Sequence, residues 1–402
     1  TNLFHSFGNF GVPNNNIANF QNDTGLATNN ILGRVTGGNP SSILGTIQTT
    51  GFENANLYLM NPVGIVFGPT ASLNVGGSAT FTTADYLRLD KLGGPNAGIF
   101  HTDPAQGSLL SSAPVDAFGF LRPNPGAISI HGSQLTVPGK QEITLVGGNI
   151  TIQSGTLENG TVQPARLSAP NGQITMASAH SPGEFLQNFF DVPNINEQSF
   201  TSIGYVHLAS GSRVDVSPTG NGKFSIRGGQ LVLDIQNSVL STGDNATPTP
   251  LVPGQDTIVL TPTSEIISGT NTGSAGPDIH LYADRMTVVG IPSTRENFGK
   301  KPNTQIQSYT LGAGKAGDIV LRTNNDIELN KLVTISSITE ASGQAGSIEL
   351  TSTHGNVRLT EGGKESRGVS SSTITSGNTG NVTISAPEGD IILTGVPVVT
   401  QS

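Results

Sequence analysis

From about residue 125 onward the chain repeats one phrase: a glycine, a small polar residue, then β-branched or leucine positions alternating with others. Gly148-Asn149-Ile150-Thr151-Ile152, Gly172-Gln173-Ile174-Thr175-Met176 and Gly317-Asp318-Ile319-Val320-Leu321 are instances. So are Gly346-Ser347-Ile348-Glu349-Leu350, Gly355-Asn356-Val357-Arg358-Leu359, Gly380-Asn381-Val382-Thr383-Ile384 and Gly389-Asp390-Ile391-Ile392-Leu393. Alternation at period two over four or five residues predicts strands. Ile319, Leu321, Ile348, Leu350, Val382 and Ile384 should point inward, and Val320, Glu349 and Thr383 outward.

The spacing of the phrases decides the architecture. Gly346 to Gly355 and Gly380 to Gly389 are nine residues apart, which implies two strands joined by a corner. Gly317 to Gly346 is 29 residues and Gly346 to Gly380 is 34, steps that suit solenoid coils with variable loops. A parallel β-helix of about fifteen coils follows. Propeller blades need a steadier period and helical solenoids a period of 3.6, and the chain has neither. Residues 180–202 break the pattern; Glu184 to Phe190 lack period two and read as a short helix or a capping loop. Residues 243–256 and 292–304, rich in Pro, Thr, Asn and Gly, read as loops.

Composition narrows the picture. Of 402 residues 52 are glycine, only 12% are charged, and there is no Cys, no Trp and three Met. A narrow core of Val, Ile and Leu fits this better than a bulky globular one. The net charge of -9 comes with no run of Lys or Arg, so the basic stripe that nucleic acid requires is missing. Without cysteine there are no disulfides and no Cys-ligated zinc, which suits a chain that crosses the periplasm unfolded. No apolar run is long enough to span a bilayer, and an exported form would have lost its signal peptide.

The first hundred residues carry different motifs. In order they are Asn2-Leu3-Phe4-His5-Ser6-Phe7, then Arg34 to Ile43 with Asn39-Pro40-Ser41 at its centre, then Asn56-Leu57-Tyr58-Leu59-Met60-Asn61-Pro62-Val63-Gly64-Ile65-Val66-Phe67-Gly68. Ala71 to Ser78 and Thr82 to Asp85 extend the series to about residue 90. This ordered set resembles the two-partner secretion domain of filamentous haemagglutinin-like exoproteins. The family's Asn-Pro-Asn-Gly-Ile motif is matched by Asn61, Pro62, Gly64 and Ile65, with Val63 in place of the second Asn. Its upstream Asn-Pro-Asn-Leu motif has no counterpart near residues 20–30.

The resemblance implies an all-β, right-handed parallel β-helix with an N-terminal β cap and extra-helical hairpins or loops. Residues 1–100 would be the secretion (haemagglutination activity) domain and residues 101–402 its continuing coils. It also implies recognition by the periplasmic POTRA domains of an outer-membrane β-barrel transporter, and a monomer secreted or held at the outer surface of a Gram-negative cell. The surface of a host or of a neighbouring cell would be the adhesion target. Asn61, Pro62, Gly64, Ile65, Phe67 and Gly68 form the candidate recognition motif, with Asn39, Pro40 and Ser41 as a second one. Turn chemistry alone accounts for much of this: Asn61 suits the first position of a type I turn, Pro62 the second and Gly64 the fourth, joining strand 56–60 to strand 65–68.

The sequence carries no catalytic, metal or cofactor signature. Asp278, Asp318 and Asp390 recur just before strands, but Ser347, Asn356 and Asn381 occupy the same place, as local turn bonding allows. Gly312-Ala313-Gly314-Lys315 lacks the spacing of a phosphate loop, and the histidines never take a zinc-helix spacing. Two other readings stay open: a polysaccharide lyase or hydrolase on the same β-helix, and the stalk of a secreted toxin or protease whose effector lies beyond residue 402. An enzyme requires convergent charged groups, and no such set is visible.

Overall fold

The computed structural model describes the chain apart from residues 91–93, 95, 96, 171, 188–199, 203, 210, 211, 216–222, 228, 229, 235–238, 243–256, 261–264, 271–277, 284, 290–303, 332, 361–367 and 402. Two compact units result. The first comprises Thr1–Ala169, Gln173–Val206 and Ser225–Gly229, the second Pro170–Gly172, His207–Phe224 and Gln230–Ser402.

In the first unit the chain visits three parallel ladders in turn, which makes each circuit one coil of a parallel β-helix with the right-handed crossover sense of parallel sheets. One ladder stacks Asn2–Phe7, Asn30–Val35, Asn56–Met60, Ala79–Thr82, Glu142–Gly147 and Gln173–Ser178. The next stacks Ser41–Ile43, Ile65–Phe67, Ile128–His131 and Ile150–Gln153. The third stacks Ile17–Gln21, Thr46–Thr50, Ser72–Asn74, Gln134–Thr136 and Arg166–Ser168. Coils therefore begin well before residue 125. The early corners use Asn, Pro and Ser turns, so the glycine phrase does not announce them.

Ile31, Leu57, Ile65, Phe67, Phe81, Ile143 and Leu145 are fully buried within these coils. A second core lies on the outer face of the first ladder. There Tyr86–Leu89, Gly98–His101, Val115–Phe120 and Gly183–Leu186 pair antiparallel. Their Leu87, Phe118, Phe120 and Phe185 pack on Leu32, Tyr58 and Met60. The expected short helix or capping loop at Glu184 to Phe190 is thus corrected where it is described: Gly183–Leu186 is a strand. Phe185 stands 4.3 Å from Phe200 and 6.1 Å from Phe120. Long-range aromatic packing, rather than local periodicity, sets its conformation.

The second unit repeats the scheme. Ile279–Ala283, Ile319–Thr323, Ile348–Ser352 and Val382–Ser385 form one ladder. Arg285–Val289, Ile327–Asn330, Val357–Thr360 and Ile391–Thr394 belong to the next, and Thr304–Thr310, Val333–Thr339, Val369–Thr373 and Val398–Gln401 to the third. The nine-residue step carries the chain round a corner into the next ladder, and the 29- and 34-residue steps return it to the same one. Ile319, Leu321, Ile348 and Leu350 are buried as expected, and Val320 and Glu349 are half-buried. Val382 and Ile384 keep the inward register but are half-buried. The loop expected at 243–256 lies outside the described residues, as does 292–303; Thr304 already begins a strand.

Polar side chains tie coil to coil. Asp278 Oδ1 accepts from Asp318 N at 2.6 Å, Asp318 Oδ1 from Ser347 N at 2.6 Å, and Ser347 Oγ from Asn381 N at 3.2 Å. Asp326 Oδ1 accepts from Asn356 N at 2.8 Å, which holds its carboxyl below the usual carboxylate range. These acids are turn acceptors for the following coil, consistent with Ser and Asn taking the same place.

Candidate functional site

The Asn61 motif lies within the first unit, between Asn56–Met60 and Ile65–Phe67. Gly64 N donates to Asn61 O at 3.1 Å, closing the turn, and Val63 N donates to Asn61 Oδ1 at 3.0 Å. The Asn61 side chain is fully buried. Its Nδ2 donates to Asn39 O and to Ser41 Oγ, both at 3.0 Å. The two sequence motifs therefore meet: the amide of one coil's corner satisfies the corner of the coil before it. Ser41 N completes the exchange by donating to Gly64 O at 3.0 Å.

Gly64 has φ 140°, a backbone conformation that demands glycine, and a Cβ there would also press on Ala127 O at 3.2 Å. Ile65 and Phe67 are fully buried, and Phe67 meets Phe81 edge-on at 4.8 Å. A side chain on Gly68 would strike Leu44 at 2.1 Å. Of the motif, Val63 presents an exposed apolar side chain, as does the neighbouring Val66. Asn56–Met60 is paired on both edges, so in the folded chain it has no edge to offer a partner strand.

Beside Pro62 and Val63 lies an open groove of about 430 Å³, whose other walls include Thr36, Asp85, His101 and Arg122. Arg122 pairs with Asp85 at 2.8 Å, and Asp85 Oδ2 also accepts from Leu121 N at 2.8 Å. Burial lowers the His101 pKa, the Asp103 carboxylate opposes this to a smaller extent, and Arg34 adds to the lowering. Its Nδ1 is buried and has no hydrogen-bond partner among the described residues.

Sequence reasoning missed a ladder of asparagines joined to this region. Asn30 Nδ2 donates to Asn2 Oδ1 at 2.8 Å, Asn56 Nδ2 to Asn30 Oδ1 at 3.1 Å, and Ser78 N to Asn56 Oδ1 at 3.1 Å. Asn2 Nδ2 reaches Ser111 O and Ala113 O, tying the ladder to the outer sheet's loop. The signal was available: an Asn opens three strands, 28 and 26 residues apart. It also missed Arg88, nearly buried between Asp116 at 2.6 Å and Glu184 at 2.7 Å. Among the described residues no group of three or more His, Asp or Glu is arranged to hold a metal ion, and no helix is long and apolar enough to cross a membrane.

A family model described as the TPS secretion domain matches residues 1–226, more than half of the chain. The chain belongs to the two-partner secretion (TPS) domain family. Its fold can be aligned with two solved structures, both at 14% identity. One is the HMW1 secretion domain from Haemophilus influenzae, with a TM-score of 0.46 over 96% of this chain and 91% of that one. The other is the filamentous hemagglutinin secretion domain, with a TM-score of 0.28 over 97% of this chain and 89% of that one. No curated protein sequence matches the chain. The earlier resemblance rested on motifs up to about residue 90; the family match runs well past them.

Proposed function

We propose that this chain is the secretion-competent part of an adhesin-type exoprotein, exported through a partner outer-membrane β-barrel and displayed at the cell surface. Residues 1–100 serve as the address read by the transporter's periplasmic POTRA domains, and residues 101–402 carry on the coils as a presenting stalk. The observation that supports this reading most is the joining of Asn39-Pro40-Ser41 to Asn61-Pro62-Val63-Gly64-Ile65 by the buried Asn61 amide, inside the region that the family match covers. Asn61 acts through the fold: its amide oxygen and nitrogen are both committed internally, so it shapes the corner while Val63 and the adjoining groove remain for contact.

The test is partner dependence. The chain, supplied with a signal peptide, is expressed in a Gram-negative host with and without the cognate barrel, and surface and medium fractions are assayed. Surface delivery only with the barrel supports the reading; equal delivery without it removes the reading.

A further inference from the structure

A second open groove, of about 520 Å³, lies between the loop at Asn14 to Ile17 and the extra-helical hairpin of Gly155–Thr156 and Val162–Gln163. Its walls hold four side-chain amides whose nitrogens each donate at least one hydrogen bond, those of Gln134 and Gln163 two. Gln163 Nε2 donates to Pro69 O at 2.8 Å and Gly132 O at 2.5 Å. Gln134 Nε2 donates to Pro164 O at 2.8 Å, and Asn16 Nδ2 to Asn14 O at 2.9 Å. Each of these partners is a carbonyl oxygen, which only accepts, so the amide orientations are fixed by their neighbours. Asn14 Nδ2 in turn donates to the carboxylate of the exposed Glu158, Oε1 at 2.9 Å.

The consequence is an imbalance. Asn14 Oδ1, Asn16 Oδ1, Gln134 Oε1 and Gln163 Oε1 accept no hydrogen bond from the described residues. The Thr70 hydroxyl is consumed by Leu44 O at 2.6 Å, and the Thr46 and Ser72 hydroxyls pair with each other at 2.9 Å. Among the described residues no Lys, Arg or His lines the groove, while Ile17, 61% exposed, and Leu157 give it an apolar wall. Among the described residues its free amide N–H groups are those of Asn15 and one each on Asn14 and Asn16. A site whose free amide oxygens offer more lone pairs than it has free N–H groups, with a carboxylate bonded to its wall residue Asn14 and an aliphatic wall, disfavours anions and matches a group that only donates, carries positive charge and hangs on a methylene stem.

We propose that this groove binds an alkylammonium group, either a free diamine or a lysine side chain of a partner. The chain as described is titrated with n-butylammonium and, separately, with n-butanol, and backbone amide shifts are followed. Saturable shifts at residues 14–17, 134 and 157–163 are expected, with butanol at least about tenfold weaker because it lacks charge. Glu158→Gln, an exposed and structurally mild change, should weaken butylammonium about threefold or more, and Gln163→Lys should abolish its binding by placing an ammonium in the groove. Cadaverine and Nα-acetyl-lysine methylamide then separate the two sources, tighter binding of either supporting the site. Absence of saturable shifts with butylammonium, butanol binding of equal strength, or butylammonium affinity unchanged in Glu158→Gln would each overturn the proposal.

Discussion

Asn61 donates its side-chain amide to the carbonyl of Asn39 across 22 residues of sequence at 3.0 Å, so the corner of one coil is built partly from the next. Removing that amide breaks bonds to Asn39 O, Ser41 Oγ and Val63 N inside a region closed to water. Asn61→Ala should therefore lower unfolding stability of the first unit by about 2 to 4 kcal/mol. Asn61→Asp, which keeps the acceptor for Val63 N but cannot donate, should lose a large share of this. Urea unfolding of both variants checks it, and a loss under about 0.5 kcal/mol for Asn61→Ala would contradict the buried geometry.

Arg88 joins strands far apart in sequence through Asp116 and Glu184, with 8% of its side chain exposed against 28% and 27% of theirs. Arg88→Met leaves two carboxylates facing one another without their cation. A loss of about 2 to 3 kcal/mol is expected, below the range for a fully buried pair because water reaches both acids. Arg88→Lys should recover only part, since an ammonium cannot reproduce the two-pronged guanidinium contact.

Ser337 Oγ donates to Gly317 O at 3.0 Å and accepts from Gly346 N at 2.8 Å, and Ser371 repeats the bridge with Gly346 O and Gly380 N. Ser337→Ala strands two buried backbone groups and should cost about 2 kcal/mol, whereas Ser370→Ala, on the outward face, should change stability by less than about 0.5 kcal/mol. Thermal unfolding of the two variants side by side distinguishes them.

His5 sits among Phe7 and Phe20 with its Nε2 buried and unpartnered, and burial holds its pKa below the ordinary 6.5. The unfolded chain takes up a proton as pH falls through about 6.5, and the folded chain does so only at lower pH. Stability of the first unit should thus be level above about pH 7 and fall as pH drops toward 5, with His101 contributing in the same direction. His5→Phe should flatten part of that slope. An unchanged slope in a pH series of urea melts would contradict the assignment.

Much of the fold was legible because a narrow solenoid writes its period directly into the chain: Gly346, Gly355 and Gly380 marked both the corner step and the full coil. The turn at Asn61 was legible for the same local reason. The outer sheet was not, because Phe185 finds Phe120 and Phe200 through the fold and its strand has no period of its own. The union of Asn39 and Asn61 also escaped, since it requires the register Ser41 to Ile65, which no single motif contains. The asparagine ladder stood in plain view at positions 2, 30 and 56 but needed the same register to be seen.

If the amino-terminal coils are an export address, secretion of a deletion variant reads it out. The chain lacking residues 1–90, with signal peptide and partner barrel present, is compared with the intact chain and with Ser337→Ala, which loses stability in the second unit alone. The intact chain and Ser337→Ala should reach the surface while the deletion variant stays in the periplasm. Export of the deletion variant at the level of the intact chain would contradict it.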